Sequence, residues 1–160
     1  MNFPGFIFDS HDNVVTYIDG ACPFNGYPHA KGGIGVWFGD DHPLYVTQNV
    51  SEPLDREGFP PTNQVAEIKA CIRACQILKD FGFRRVSFYT DSQYLIDSMT
   101  NWIYKWLNNG WLKSDGTPLK HKHYYQELLD LIDNFKVNWV HIPSAENKAD
   151  RLAKKGAEKY

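Results

Sequence analysis

The sequence predicts an α/β fold in which a mixed sheet of five strands is flanked by helices. Three strand-like segments come first, with no helix between them, and two more alternate with segments of helical periodicity. Neighbouring strands joined by short connections pair antiparallel, whereas helical crossovers join parallel strands. We therefore expect three antiparallel strands followed by two parallel ones. A chain of 160 residues is long enough to form one such domain around its own core.

The first three strands are predicted from β-branched and aromatic runs bounded by turn residues. They cover residues 14–19 (VVTYID), 33–39 (GIGVWFG) and 44–50 (LYVTQNV). The short segment 40–43, DDHP, predicts a hairpin between the second and third strands. Residues 51–61 are expected to be irregular because they end in Pro60-Pro61, which cannot lie inside a helix.

Helical periodicity then begins and predicts a helix that ends at Gly82. One face of this helix is apolar and carries Ile68, Cys71, Ile72, Cys75 and Leu78. A fourth strand is expected at residues 85–90, and residues 91–108 are expected to be helical, either straight or bent.

The remaining elements are predicted from the same signals. A polar loop covers 113–120, a helix covers 124–135 with Leu128, Leu131 and Ile132 inward, and a fifth strand covers 136–142. Pro143 ends that strand, and Ser144 is the expected N-cap of a last helix that reaches residue 157.

Composition predicts a globular intracellular protein that is not embedded in a membrane. Hydrophobic residues make up 42% and charged residues 22% of the chain, and no run approaches the ~20 apolar residues of a membrane span. The N-terminus shows no signal-peptide pattern. Cys22, Cys71 and Cys75 are too few for a disulfide framework, and the last two are expected to be small buried hydrophobes. The net charge of −2 means that any attraction for phosphate is local.

Four acidic residues stand at positions where sites are usually built. Asp19 ends the first strand, Glu67 lies early in the first helix, Asp91 follows the fourth strand, and Asp150 lies early in the last helix. Converging carboxylates would repel one another unless divalent cations lay between them. Each acid alone has a plainer interpretation, as a turn residue, a helix-start residue or a cap, and spacing alone does not show that the four meet.

Five motifs identify a family resemblance that covers the chain from about Val14 to Tyr160. They are YIDGA (17–21), TNQVAEIKA (62–70), YTDSQYLI (89–96), NWIYKWLNNGW (101–111) and NKADRLAKKGA (147–157). In this order they resemble the ribonuclease H type 1 family. The resemblance implies a catalytic domain at 14–160, preceded by a lead-in at 1–13, and a ribonuclease H-like fold.

The resemblance also implies chemistry. Asp19, Glu67, Asp91 and Asp150 would be the catalytic, metal-binding carboxylates, holding two Mg²⁺ ions with substrate, and Mn²⁺ would substitute. The substrate would be an RNA/DNA hybrid, of which the RNA strand is hydrolysed to leave 5′-phosphate and 3′-hydroxyl ends. The protein is expected to act as a monomer.

Substrate contacts are carried over in the same way. Asn25, Asn63 and Gln64 resemble amides that contact the hybrid, Cys22 would offer its backbone to RNA, and Thr62 resembles a residue that binds a DNA phosphate. Helix capping is the plainer interpretation of Asn63.

Aromatic and basic residues of the following segment complete the expected substrate surface. Tyr94, Trp102 and Trp106 resemble a channel for the DNA sugars, although tryptophans four apart on a helix are more often core residues. Lys105 and Lys113 belong to a locally basic segment, 105–122, that would bind phosphates, with a solvated lysine face as the alternative.

The chain departs from the family pattern at two histidines. The segment HIPSAENKAD (141–150) is short and lacks the loop histidine that the family usually carries, and His141 is expected to lie on the last strand instead. His121 stands where relatives commonly have Asn, which raises the hypothesis of weaker or pH-sensitive DNA-strand binding. The altered loop leaves a weakly active or non-catalytic hybrid-binding module as one alternative, and a ribonuclease H domain of a retroelement polyprotein is another.

Overall fold

The computed structural model describes residues 3–55 and 60–160 and contains a five-stranded sheet in the order β3-β2-β1-β4-β5. The strands are β1 (Val14–Ala21), β2 (Gly33–Trp37), β3 (Val50–Pro53), β4 (Arg85–Thr90) and β5 (Lys136–His141). The pairs β1–β2 and β2–β3 are antiparallel, and the pairs β1–β4 and β4–β5 are parallel. The predicted fold class, with three antiparallel strands followed by two parallel ones, is confirmed.

Helices cover the sheet on both faces. They are α1 (Asn63–Asp80), α2 (Gln93–Asp97), α3 (Ile103–Asn109), α4 (Lys122–Ile132) and α5 (Asp150–Glu158). A π-helical turn, Ser98–Trp102, joins α2 to α3, so the predicted helix after Asp91 is bent. Helix α1 packs on β1 and against α4, and α5 packs across β2, β3 and β1. None of these helices is long and apolar enough to span a bilayer in the part of the chain described.

The hydrophobic core lies between the sheet and α1. Ile18, Val36 and Phe88 face the apolar side of α1, where Ile68 and Leu78 are fully buried. The predicted inward face of α1 is therefore confirmed, and Cys71 and Cys75 are buried within it as free thiols.

The N-terminal segment packs into this same core. Phe6 is buried, and its ring lies 5.2 Å from that of Phe38 and 4.8 Å from that of Phe83. An isolated antiparallel bridge joins Phe8 to Val14. The described residues of the predicted lead-in therefore contribute to the fold of the domain, whereas residues 1–2 lie outside the described part.

The predicted third strand at 44–50 begins too early and the predicted turn at 40–43 is too short, although the second and third strands do pair antiparallel. The third strand is β3, which begins at Val50, and the side chains of Leu44 and Val46 are 86% and 82% exposed. After β2 ends, the side chain of Asn49 bonds to the backbone of Phe38 and Gly39, in place of a neighbouring strand. Its Oδ1 accepts from the Phe38 amide at 2.6 Å, and its Nδ2 donates to the Gly39 carbonyl at 2.7 Å. Residues 44–49 therefore lie outside the five-stranded sheet, and of the predicted strand only Val50 belongs to β3.

Two other predicted boundaries differ from those of the structure. Residues 51–53, expected to be irregular, belong to β3, and residues 56–59 of the same predicted segment lie outside the described residues. Ser144 is not the N-cap of the last helix. It begins a 3₁₀ turn, Ser144–Glu146, and α5 starts only at Asp150. Ser144 and Asn147 bond to Asp91 instead, so the chain between them cannot join the helix.

A hydrogen-bonded carboxylate ties the N-terminal segment to the sheet. Asp9 accepts from the Ser87 hydroxyl at 2.7 Å and from the backbone amides of His11 and Asn13 at 2.9 and 3.1 Å. Asn138 in turn donates to the Ser87 hydroxyl at 3.1 Å. Partial burial raises the pKa of Asp9, but the bonds from Ser87, His11 and Asn13 outweigh it and lower the pKa to about 2.

We predict that Asp9→Ala lowers the free energy of unfolding at pH 7 by about 1–2 kcal/mol, because it removes several partly exposed hydrogen bonds to a charged group. The pKa of Asp9 is lower in the folded state, so its stabilisation is present above pH ~4 and is lost as the pH falls toward 2. Denaturant unfolding at pH 7 and pH 2.5 measures both effects. Asp40→Ala, at an exposed carboxylate, is the control, and equal losses in the two variants would contradict the prediction.

Candidate metal centre and nucleic-acid surface

Three carboxylates from three different elements meet at one end of the sheet. Asp19 lies within β1, Glu67 in the second turn of α1, and Asp91 directly after β4. One oxygen of each lies within 4.8 Å of the others. Asp19 is only 4% exposed, and Glu67 and Asp91 are half-buried, so the cluster concentrates three acidic groups in a partly buried site.

Close packing at Gly20 brings Glu67 to Asp19. A Cβ atom at Gly20 would lie 2.5 Å from the backbone of Ala66 and Glu67, closer than real Cβ contacts allow. Helix α1 therefore crosses β1 at a point where only glycine fits. On the other face of the sheet, a Cβ at Gly35 would overlap the backbone of α5, so glycine also sets the distance of Asp150 from the cluster.

Asp150 lies at the rim of the cluster. It is the first residue of α5 and lines the same depression as Asp19, Glu67 and Asp91. Its Oδ2 forms an ion pair with Lys154 at 2.9 Å. The structure thus brings all four predicted carboxylates to one depression, with three in mutual reach of an ion and the fourth beside them. Their roles in catalysis stay predictions.

The electrostatics of the cluster suit a divalent cation. Burial, followed by the charge of Asp91, raises the pKa of Asp19 to about 7. Burial, followed by the charges of Asp19 and Asp91, raises the pKa of Glu67 well above its ordinary range. Among the described residues, Glu67 Oε2 is buried and has no hydrogen-bond partner. Carboxylate oxygens that repel one another are the ligands that hard divalent ions prefer, and a buried oxygen without a donor, such as Glu67 Oε2, is costly unless a cation lies beside it, so the arrangement supports divalent metal use.

Two residues that the sequence analysis did not assign to the site, Ser144 and Asn147, hold Asp91 in place. The Ser144 hydroxyl donates to its Oδ2 at 2.6 Å, and the Asn147 amide donates to its Oδ1 at 2.9 Å. Asn147 is buried and also donates to the Ile18 carbonyl of β1 at 3.0 Å. The signal in the sequence is a pair of short polar residues before the last acid, which predicts helix capping equally well.

The predicted hybrid-binding residues surround the acidic cluster. Cys22 and Asn63 line the same depression as the carboxylates. Asn25 Oδ1 accepts from the Asn63 backbone amide at 3.0 Å, which joins the β1–β2 loop to the start of α1. The N-cap of α1 is Thr62, whose hydroxyl accepts from the Val65 amide. The alternative interpretation of Asn63 as the N-cap is therefore wrong.

A second surface feature, the aromatic groove, has a volume of about 500 Å³. Its lining includes Gln64, Tyr94, Trp102, Lys105, Trp106, Lys113, Lys120 and His121. The Tyr94 and Trp102 rings meet edge to face at 5.1 Å, and Tyr94 is 41% exposed. Trp106 is buried and packs on Tyr125 at 4.9 Å. Trp106 is thus a core residue that also forms the floor of the groove.

The two histidines that depart from the family pattern occupy different environments. His141 lies on β5 opposite Thr90, and its predicted strand position is confirmed. His121 lines the aromatic groove, and its Nδ1 is buried without a hydrogen-bond partner among the described residues. Burial, then the charges of Lys120 and His123, lower the pKa of His121, so its ring is neutral at pH 7.

Residues 11–158 match the family described as RNase H. Ribonuclease H1 of Mus musculus is 38% identical over 152 residues, which cover 92% of this chain and 51% of the relative. Ribonuclease HI of Haemophilus influenzae is 36% identical over 150 residues, which cover 91% and 90% of the two chains. The chain therefore spans about half the length of the mammalian relative and most of the bacterial one.

Solved structures show the same fold. The foamy viral protease-reverse transcriptase in complex with dsDNA superposes with a TM-score of 0.72 at 27% identity, over 91% of this chain and 94% of that one. LC9-RNase H1, described as a type 1 RNase H with the type 2 active-site motif, gives a TM-score of 0.69 at 27% identity, over 99% and 75% of the chains.

We predict that Asp19→Asn raises the free energy of unfolding of the metal-free protein at pH 8 by about 2–4 kcal/mol, because it removes a buried charge that is repelled by its neighbours. The pKa of Asp19 is raised to about 7 in the folded state. The wild type therefore loses stability relative to the variant as the pH rises from about 4 to about 7.

Thermal unfolding in the presence of a chelator measures this difference. Asp80→Asn, at an exposed carboxylate at the end of α1, is the matched control and should leave stability nearly unchanged. Added Mg²⁺ should narrow the gap, since the wild type gains stability by binding the ion. A variant no more stable than the wild type at pH 8 would show that Asp19 is not under electrostatic strain.

Proposed function

The chain belongs to the ribonuclease H family, and from this membership we propose that it is an endonuclease that hydrolyses the RNA strand of RNA/DNA hybrids. The observation that carries the proposal is the cluster of Asp19, Glu67 and Asp91, whose oxygens lie within 4.8 Å of one another beside a groove lined by aromatic rings and lysines. One relative in the fold comparison, a foamy viral protease-reverse transcriptase, was solved in complex with an RNA/DNA hybrid.

Asp19, Glu67, Asp91 and Asp150 would hold two Mg²⁺ ions, for which Mn²⁺ would substitute. When bound, such ions would supply activation of a water and stabilisation of the leaving oxygen, and the expected products carry 5′-phosphate and 3′-hydroxyl ends. The chain's own contribution is to keep the ligands in position before the ions bind. Ser144 and Asn147 orient both oxygens of Asp91, and the unpaired Glu67 Oε2 is kept free of competing donors.

The surroundings of the cluster suit a hybrid duplex. Backbone and amide groups of Cys22, Asn25, Asn63 and Gln64 can contact 2′-hydroxyls and minor-groove acceptors on the RNA side without reading the sequence. Tyr94, Trp102 and Trp106 offer an apolar surface to deoxyribose, which lacks the 2′-hydroxyl. Lys105 and Lys113 supply cations for phosphates at the same groove, and the Thr62 hydroxyl, at the N-cap of α1, would bind a DNA phosphate.

A binding module without catalysis is not favoured by this geometry. Burying Asp19 and Glu67 against each other raises the pKa of both and lowers the stability of the metal-free protein. A protein that only bound the hybrid would gain nothing from that loss of stability.

The alternative that this chain is a domain of a retroelement polyprotein is tested by its flanking sequence, since a reverse transcriptase upstream would support it. We further propose that residues 14–160 carry the catalytic and binding groups, with the described lead-in residues packed against them, and that the protein acts as a monomer inside the cell. The three cysteines, all buried as free thiols, agree with a reducing compartment.

We predict that the protein cleaves a labelled RNA/DNA hybrid in Mg²⁺, but not duplex RNA, duplex DNA or single-stranded RNA. Asp91→Asn should lower the rate by at least ~10²-fold, because it removes a charged ligand while preserving shape. Asp40→Asn, an exposed acid outside the cluster, is the matched control and should retain full activity. If the wild type bound the hybrid tightly without cleaving it, the protein would instead be a non-catalytic hybrid-binding module.

We also predict that His121 makes the affinity for the hybrid depend on pH below about 6.5 and not above it. Because the pKa of His121 is lowered, the ring gains its charge below its ordinary titration range, and DNA-strand binding strengthens as the pH falls below 6.5. Binding of the Asp91→Asn protein to a fluorescent hybrid between pH 5.5 and 8 measures this dependence. His121→Asn should flatten the curve at its acid end, and equal curves for both proteins would contradict the prediction.

A further inference from the structure

The edge of the sheet formed by β5 is open in the part of the chain described. In the strand order β3-β2-β1-β4-β5, β5 pairs with β4 alone. Lys136 and Ile142, which are six positions apart, both donate their backbone amides toward β4. Because alternate residues of a strand bond to the same neighbour, the backbone groups of Val137, Trp139 and His141 point away from the sheet. They offer hydrogen bonds to an added strand.

An apolar groove, here called the β5 groove, lies beside this edge and has a volume of about 510 Å³. Helix α3 contributes Tyr104 and Leu107, β5 contributes Val137 and Trp139, and Ile132 at the end of α4 closes the groove. Tyr104 and Leu107 are 61% and 49% exposed, and the two residues of β5 are half-buried. Three neighbouring elements thus expose one shared apolar surface, and surfaces of this kind mark interaction sites.

The open edge and the β5 groove are formed by the same strand residues. Val137 and Trp139 point their backbone groups away from β4 and contribute their side chains to the groove. A strand added to β5 would therefore place every second side chain over the groove, because paired strands share the alternation of the pleat. An extended segment with apolar residues at alternate positions fits this surface.

The end of α4 gives the β5 groove an acidic border. Asp130 and Asp133 are exposed, and neither forms an ion pair within the described part of the chain. Asp133 lines the groove and is the C-cap of α4, whose last turn carries no basic residue. The helix dipole disfavours negative charge at this end, and acids three positions apart repel each other. A partner with Lys or Arg would relieve this repulsion, whereas the phosphates of a nucleic acid would add to it.

We propose that β5 and the β5 groove bind an extended segment of a partner protein, which adds as a sixth strand of the sheet. The segment places apolar side chains at alternate positions in the groove and pairs a Lys or Arg with Asp133. In this binding mode main-chain hydrogen bonds give affinity and side-chain pockets give specificity. The proposal does not depend on the proposed function. Lys105 and Trp106 line the aromatic groove on another face of α3, so the partner leaves that surface free.

Selection from a phage library of random ~12-residue peptides, with the wild-type protein as bait, tests the proposal without assuming a sequence. The peptides recovered should carry apolar residues at alternate positions and at least one Lys or Arg. Recovery of peptides without that pattern, or of none above background, would overturn the proposal.

Fluorescence anisotropy with a synthetic copy of the most enriched peptide locates its binding site. Leu107→Glu should raise the Kd at least ~10-fold, because it places a charge in the apolar part of the interface. Asp133→Asn should raise it roughly 1.5- to 5-fold, as expected for one partly exposed ion pair. Leu44→Glu, at an apolar residue that is 86% exposed and lies outside the groove, is the matched control and should leave the Kd unchanged. Equal Kd values for the wild type and Leu107→Glu would place the peptide elsewhere and overturn the proposal.

Backbone pairing has a separate readout in the wild-type protein, which no substitution can unfold. Hydrogen exchange of the Val137, Trp139 and His141 amides should slow at least ~10-fold when the peptide is bound, since these groups would then donate to the added strand. Unchanged exchange rates would exclude strand addition and overturn the proposal.

Hybrid cleavage separates this proposal from the proposed function. Leu107→Glu should cleave the RNA/DNA hybrid at the rate of the wild type, because Leu107 lies outside the aromatic groove. If the wild type did not cleave the hybrid, the proposed function would fall while the peptide results stood. If the wild type cleaved the hybrid but bound no peptide at β5, only the present proposal would fall.

Discussion

The acidic cluster depends on how closely two helices approach the sheet. At Gly20 the backbone of α1 occupies the space that a side chain would fill, and at Gly35 the backbone of α5 does the same from the opposite face. Any larger residue would push the helix outward and carry Glu67 or Asp150 away from Asp19. Backbone contact thus sets the separation of the carboxylates, and it does so with rigid elements instead of flexible side chains.

The close approach of the carboxylates lowers the stability of the fold. A buried cluster of like charges raises the pKa of Asp19 and Glu67 and weakens the metal-free protein. The hydrophobic core between the sheet and α1 offsets that cost, and the Asp9 network adds hydrogen bonds at the far end of β4. Ser144 and Asn147 restrain Asp91, so its carboxylate is held in one orientation within the acidic cluster. Function and folding therefore make opposite demands on the same few residues.

Periodicity in the sequence predicted most of the fold, since patterns of burial are local. The bounds of β4 and the apolar face of α1 follow from residues that stand next to one another in the chain. Long-range side-chain bonds caused the errors. Asn49 ends β2 pairing from eleven residues away, and Ser144 bonds to Asp91 across 53 positions. In each of these hydrogen bonds the two residues are too far apart in the chain to fall within one local sequence pattern.

The site was predictable in its residue types but not in its geometry. The four acids were indicated by their places at strand and helix ends and by family motifs, whereas their convergence depends on Gly20 and Gly35, whose role emerges only when α1 and α5 are placed on the sheet.

The Asn49 clamp has a practical consequence for protein engineering. Because one side chain closes the ends of the β2–β3 connection on Phe38 and Gly39, the register of the sheet does not depend on the length of the chain between them. Doubling a loop costs only about 0.6 kcal/mol of closure entropy. Exposed positions such as Leu44 therefore offer a place to insert a reporter peptide or a second domain without altering the end of the sheet that carries the acidic cluster.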